Sequence, residues 1–110
     1  METATATAAA MAMGTAATDL ASIRRELADR GYATVTVSGG CMEPAFHDGQ
    51  WVVAHREREP RRGSVALLDC GGTLEIHRLG FHLGPWWIHR GDASPHWGIA
   101  RRHQILGVVG

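Results

Sequence analysis

The chain has little cysteine and no excess of charge of either sign. Its 110 residues include 2 cysteines, which are too few for a disulfide scaffold and favour a reduced, cytoplasmic chain. The 11 Lys and Arg residues balance 11 Asp and Glu residues, so bulk electrostatics do not indicate nucleic acid or a membrane surface as a partner. A chain of this length forms one domain with a modest core.

Residues 1–17 also lack the features of a secretory or membrane segment. They are rich in Ala and Thr, without a positively charged start or a leucine-rich centre. So little apolar bulk cannot offset the entropy lost on ordering. We therefore predict a disordered tail over residues 1–17, no membrane anchor, and a single domain over residues 18–110.

Short apolar segments separated by turn residues make up the rest of the chain. Thr18 or Asp19 is a suitable cap for a helix over about 18–30, which Gly31 would end. Beyond it, the pattern predicts strands at 32–37, 51–54, 65–69, 73–79, 86–90 and 105–109. Two glycines after Cys70 predict a hairpin turn. The predicted fold is mostly β, a compact barrel or folded sheet over about 32–110 with a short N-terminal helix.

Cys41 lies in the segment with the clearest chemical meaning. The strand predicted at 32–37 leads through Ser38 into two glycines and then Cys41, and Pro44 ends any extended continuation. Glycines allow a tight turn and the close approach of a substrate carbonyl. A thiol held on such a turn is suited to attack that carbonyl.

The order of residues around Cys41 closely resembles the nucleophile box of the signal peptidase I and LexA/UmuD superfamily. In that superfamily a Gly-x-Ser-Met-x-Pro motif precedes an acidic, Gly-containing turn and a strand. Here Gly39, Gly40, Cys41, Met42 and Pro44 precede such a turn and the strand predicted at 51–54. The resemblance implies a coiled, mostly antiparallel β fold of the signal-peptidase or LexA catalytic-domain type. Cys41 occupies the position of the catalytic serine.

A second motif, His77-Arg78, resembles the strand that contains the general base in this superfamily. Bacterial signal peptidases have Lys-Arg there, whereas the endoplasmic-reticulum and archaeal types have His-Arg. The resemblance therefore implies that His77 is the base and Arg78 a supporting residue. The pair is chemically consistent, because a thiol near neutral pH needs only an imidazole to become a thiolate.

A third motif, Gly91-Asp92, resembles the Gly-Asp-Asn box of signal peptidases and makes Asp92 a supporting residue. The further acid that orients the histidine in the endoplasmic-reticulum enzymes is not visible, so the expected site is a Cys41–His77 dyad. The backbone N–H of Cys41 is the expected oxyanion donor, on the turn formed with Gly39 and Gly40. Ser38 lies one residue from the side-chain donor of some relatives, and Met42 and Pro44 support the turn.

Metal ligation is the alternative that seven histidines suggest. His82, His89, His96 and His103 recur every seven residues, but intervening Pro and Gly residues prevent a continuous helix. Zinc-type C-x-x-C or H-x-x-x-H spacings are absent from the sequence. The sequence therefore predicts no metal site and no cofactor.

The predicted function is that of a soluble cytoplasmic cysteine peptidase that cleaves a leader or precursor peptide bound as an extended strand. In the alternative, loss of the serine marks an inactive member that binds a peptide without cutting it. In the corresponding interpretation of the two residues, Cys41 is a small buried residue and His77 is a structural histidine. A peptide or protein substrate is the expected partner, and no oligomeric state is predicted.

Overall fold

The computed structural model describes residues 20–110 in full and residues 5–8 as backbone. One helix, α1 (Leu20–Arg30), precedes most of the sheet. The strands are β1 (Thr5–Ala8), β2 (Tyr32–Ser38), β3 (Trp51–His55), β4 (Val65–Cys70), β5 (Thr73–Leu83), β6 (Trp86–Arg90), β7 (Gly98–Arg101) and β8 (Ile105–Val109). A short 3-10 turn, Arg102–Gln104, joins β7 to β8. The mostly β prediction is confirmed.

Helix α1 covers the barrel with one apolar face. Ile23 and Leu27 are buried in the core cluster, at the spacing expected for one side of a helix. The helix ends at Gly31, whose N–H donates to the Leu27 carbonyl at 2.8 Å. Gly31 has φ of +81°, a left-handed conformation that favours glycine at a helix C-terminus. The predicted helix is thus confirmed, while its predicted caps, Thr18 and Asp19, lie outside the described residues.

The sheet is antiparallel throughout, in the order β1-β2-β3-β8-β4-β5-β6-β7. Strand β1 pairs with β2 and, through Thr5, also with Glu75 of β5. These two pairings close the first six strands of that order into a ring. Strands β6 and β7 extend from the second half of β5, outside the ring. The ring is the barrel that the sequence predicts.

Strand β4 is buried on both faces because it lies between the two core clusters. Val65 and Leu67 face the barrel interior together with α1. Ala66 and Leu68 face a second cluster under β6 and β7, which contains Trp87 and Ala100. Four consecutive apolar residues are typical of a strand covered on both sides.

The β4–β5 hairpin follows the prediction closely. Cys70 pairs with Thr73, which leaves Gly71 and Gly72 as a two-residue turn. Both glycines have positive φ, +69° and +93°. Two positive values in a two-residue hairpin loop are the requirement of a type I′ turn, which glycine meets without steric cost.

Two strands are not predicted from the sequence, and β5 extends to Leu83, four residues beyond its predicted end. Strand β7 follows a Pro- and Gly-containing stretch and has only four residues, so its pattern is too short to recognise; it forms through pairing with β6. Strand β1 lies within the tail predicted to be disordered, and it forms through pairing with β2 and β5 rather than from its own apolar content. The rest of the predicted tail lies outside the described residues. Among the described helices, none is long and apolar enough to cross a bilayer.

Candidate active site

The turn that follows β2, residues 39–46, is here called the nucleophile turn. Gly39 has φ of +89°, a conformation that residues with a Cβ rarely adopt. Its N–H donates to Oδ1 of Asp48 at 2.9 Å, so the amide is already paired and is not an oxyanion donor. The positive φ of Gly39 gives a structural reason for the glycine that the sequence predicts in this turn.

Cys41 is held on the nucleophile turn by contacts on both sides. Its carbonyl accepts the Ala93 N–H at 2.6 Å, while its own N–H donates no hydrogen bond within the described residues. Met42 is fully buried in the interior cluster, and its Sδ accepts the Asp92 N–H at 3.4 Å. Cys41 itself is 6% exposed and packs with the same cluster. The sequence predicts this N–H as the oxyanion donor, which stays a prediction; the structure shows it within a closely packed turn.

Gly91 lies directly against Cys41. A Cβ on Gly91 would be 2.7 Å from both the Cβ and the carbonyl oxygen of Cys41. No real side chain tolerates such a contact, so only glycine permits this approach. The third sequence motif is therefore in contact with the first.

Arg78 and Asp92 connect strand β5 to the Gly91-Asp92 segment. Arg78 donates from Nε and Nη2 to the two carboxylate oxygens of Asp92 at 2.7 and 2.8 Å. Its Nη1 donates to the Gly63 carbonyl at 2.8 Å. The hydrogen bonds to Asp92 raise the pKa of Arg78. Bidentate pairing of this kind fixes geometry, so Asp92 has a structural role in holding Arg78, and its support of a catalytic site stays a prediction.

His77 is buried and faces a second histidine. Its Nδ1 lies 2.8 Å from Nδ1 of His89, and the two residues are 8% and 5% exposed. The Nε2 of His77 is buried and makes no hydrogen bond in the described part of the chain. A pair of Nδ1 atoms at this distance shares one proton, so one ring is the donor and the other the acceptor.

Glu75 completes what we call the histidine cluster, formed by Glu75, His77 and His89. Oε1 of Glu75 lies 3.5 Å from Nδ1 of His77. Strand alternation directs residues two apart to the same face, which brings Glu75 and His77 together. Cys70 lies next to Glu75, which is one cause of the raised pKa of its thiol. Neither cysteine forms a disulfide.

Burial determines the protonation of the cluster. It lowers the pKa of His77 to about 4, with the charge of His89 as a second cause. It also lowers the pKa of His89 and raises that of Glu75. Burial, followed by the negative charge of Glu75, raises the pKa of Cys70 to about 12. At neutral pH His77 is therefore an uncharged imidazole, and Cys70 is a protonated thiol of low reactivity.

The histidine cluster opens into a cleft of about 420 Å³. Its lining also includes Cys70, Ser94, His96, Trp97, Gly98 and Ile99. Cys41 does not line this cleft, and no hydrogen bond joins Cys41 to His77 among the residues described. The two residues are nevertheless close in the sheet. Arg78 pairs with Arg90, and continuing that register by one residue brings Gly91, the residue under Cys41, opposite His77.

The sequence interpretation missed the partners of His77. Glu75 could have been predicted as a neighbour of His77, because it is two residues away on the same strand. His89 could not have been predicted as a neighbour without the register of β5 and β6, in which it lies opposite Leu79. Gly98 permits the arrangement, since a Cβ there would be 2.5 Å from Cε1 of His89. The heptad of histidines, by contrast, does not form a group in the described structure.

A family model described as Peptidase S24-like matches residues 1–109 of the chain. No curated protein and no solved structure matches it.

Proposed function

Since the chain belongs to the Peptidase S24-like family, we propose that it is a cysteine peptidase in which Cys41 is the nucleophile and His77 the general base. The observation that carries the proposal is the contact of Gly91 with Cys41. It brings the nucleophile turn against the residue that, by register, is the cross-strand neighbour of His77. In this proposal, the nucleophile turn or the His77 ring moves when substrate binds and brings the Cys41 sulfur to His77 Nε2.

The tautomer of His77 suits the role of base. When His77 Nδ1 carries the shared proton, it donates a hydrogen bond to Nδ1 of His89. Nε2 of His77 then has a free lone pair. Nε2 then takes the thiol proton while the Cys41 sulfur attacks the peptide carbonyl. The free Cys41 N–H stabilises the oxyanion. Nε2 returns the proton to the leaving amine, and water later hydrolyses the thioester. His89 thus acts as a positioning residue in place of the orienting acid.

The substrate in this proposal is an extended segment of a leader or precursor peptide. Strand β1, with the sequence Thr-Ala-Thr-Ala, pairs with both β2 and β5 between Ser38 and Glu75. An extended chain of small residues therefore has backbone partners on both sides of this gap. Cleavage after a small residue follows from the resemblance to signal peptidases, and the cytoplasmic location is part of the same proposal.

An apolar surface next to the cleft offers further contacts to a peptide. Phe81, Leu83, Trp86 and Ile99 are exposed and line a second cavity of about 510 Å³. Ile99 lines both cavities, so the two are adjacent. Exposed apolar patches of this kind are typical of binding surfaces. A peptide that enters the cleft would extend its apolar side chains onto this surface.

One observation favours the second candidate, a peptide-binding protein without activity. Cys41 is 6% exposed and packs with the interior cluster, away from the cleft lining. A thiol in that position that never reaches His77 is a core residue. The peptide-binding gap and the apolar surface would then remain, without chemistry.

Thiol reactivity distinguishes the two candidates without knowledge of the substrate. Iodoacetamide labelling near neutral pH, mapped by mass spectrometry, should modify Cys41 much faster than Cys70, whose pKa is raised to about 12. Labelling of Cys41 should slow in His77→Ala and stay unchanged in His103→Ala, a control at an exposed histidine outside the cluster. Equal labelling of Cys41 in wild type and His77→Ala would favour the inactive peptide-binding protein.

A further inference from the structure

The histidine cluster has the donor atoms of a metal site. One ligand atom each of Glu75, His77 and His89 lies within 4.8 Å of the others. Two imidazole nitrogens and one carboxylate oxygen form a common set for zinc and other divalent transition metals. The residues come from two adjacent strands, so the sheet holds them on a rigid base.

The distances allow one ion to contact the donors. Zinc binds His nitrogen and carboxylate oxygen at about 2.0–2.2 Å. Two donors closer than twice that length can contact the same ion. The two Nδ1 atoms are 2.8 Å apart, and Nδ1 of His77 is 3.5 Å from Oε1 of Glu75. Small side-chain rotations suffice to complete the set.

A second observation is independent of these distances. The His77 side chain is nine-tenths buried, and its Nε2 has no hydrogen-bond partner among the described residues. The ring is therefore held through Nδ1 alone, where the two imidazoles face each other. One position between them must be filled by a proton or by a cation, because two bare lone pairs would repel each other. The cleft next to Glu75 provides entry and space for water ligands.

We propose that Glu75, His77 and His89 bind a divalent transition-metal ion such as Zn²⁺, and that the bound ion switches the peptidase site off. The ion takes the Nδ1 lone pair of His77, and the proton of that ring moves from Nδ1 to Nε2. Nε2–H has no lone pair, so it cannot accept the proton of Cys41. Metal binding stands by itself, while the inhibitory effect rests on the proposed function.

Metal binding is tested with the full chain and Zn²⁺ alone, by isothermal titration. We expect one ion per chain in wild type and in His103→Ala, the exposed-histidine control. Glu75→Gln and His89→Ala should each weaken binding by about 100-fold, at the upper end of the effect of losing an outer-shell partner. Circular dichroism and thermal melting establish that each variant is folded, and Glu75→Gln is the gentler of the two.

The ligands are identified with Co²⁺ by absorption spectroscopy. A site of two imidazoles and a carboxylate gives ligand-field bands without sulfur-to-metal charge transfer. A charge-transfer band would show that a cysteine binds the ion and would overturn the assignment. Absence of stoichiometric binding to wild type, or equal affinity in the folded Glu75→Gln variant, would overturn it as well.

The inhibitory step is tested by labelling Cys41 with and without Zn²⁺. We expect Zn²⁺, at a concentration that saturates wild type but lies well below the dissociation constant of Glu75→Gln, to slow labelling in wild type to the rate of His77→Ala. The same concentration should leave labelling of Glu75→Gln unchanged. If Zn²⁺ binds at the cluster but does not alter labelling in wild type, the switch is wrong and the metal site stands. Labelling that is also insensitive to His77→Ala would locate the failure in the proposed function instead.

Discussion

Lowering the pH should destabilise the protein through His77. Burial and the neighbouring His89 lower the pKa of His77 to about 4 in the folded state, against about 6.5 in an unfolded chain. Between these values the unfolded state binds a proton that the folded state does not. The stabilisation is therefore complete above about pH 6.5 and is lost as the pH falls toward about 4.

The size of the effect follows from the length of that interval. Each pH unit costs about 1.4 kcal/mol per group, so His77 contributes a loss of about 2 kcal/mol by pH 5. His89 changes stability in the same direction, because burial lowers its pKa too. Glu75 acts in the opposite direction, since its pKa is raised and its protonation in acid favours the folded state. The contribution of His77 is therefore measured as the difference in free energy of unfolding between wild type and a variant that lacks this histidine.

Urea unfolding of wild type, His77→Gln and His103→Gln between about pH 7.5 and 5 measures that difference. Wild type should lose about 2 kcal/mol more free energy of unfolding over this range than His77→Gln, and His103→Gln should follow wild type. Parallel curves for wild type and His77→Gln would refute the reasoning. Wild-type stability that rises in acid would instead indicate a protonated His77 paired with Glu75.

The remaining predictions concern activity and the nucleophile turn. Cys41→Ala should fold but cleave no peptide and Cys41→Ser only in traces, as measured by mass spectrometry of products; cleavage by Cys41→Ala would mean another nucleophile. Gly91→Ala should lower the free energy of unfolding by about 1–3 kcal/mol through overpacking against Cys41, as measured by urea unfolding, and an unchanged midpoint would contradict that contact. Deletion of residues 2–10 should increase the affinity for extended Ala-rich peptides in fluorescence anisotropy, because β1 occupies the gap between β2 and β5; weaker binding would mean that β1 builds the site.

The protonation of His77 is a point on which sequence and structure differ. A Cys–His pair suggests a preformed thiolate and imidazolium, which would raise the pKa of the histidine. The structure lowers it, because the ring is buried and its near neighbour is another histidine. The thiol then gives up its proton during attack, and the acid limb of the activity profile should follow a group with a pKa below 6.5.

The parts of the structure that could be predicted from the sequence are those determined by a few neighbouring residues. Gly71 and Gly72 make a turn wherever they occur between strands, and the turn at Gly39 follows from the same freedom of φ. The cluster around His77 has no such local cause. It depends on β5 and β6 pairing with a register shift between Leu79 and His82. A one-residue change in pairing would direct His89 to the opposite face, and no sequence pattern specifies that register.

The position of β8 has a consequence for how the protein folds. Ile105–Val109 lies between β3 and β4. It joins the β1–β3 half of the sheet to the half that contains His77, on the side of the ring opposite the β1–β5 pairing. Gly107 allows close contact there, since a Cβ would be 3.2 Å from that of Ala54. The ring therefore cannot close during synthesis until residue 109 has left the ribosome. Until then two strand edges are unpaired and prone to aggregation, so folding yield should depend strongly on temperature and on chaperones.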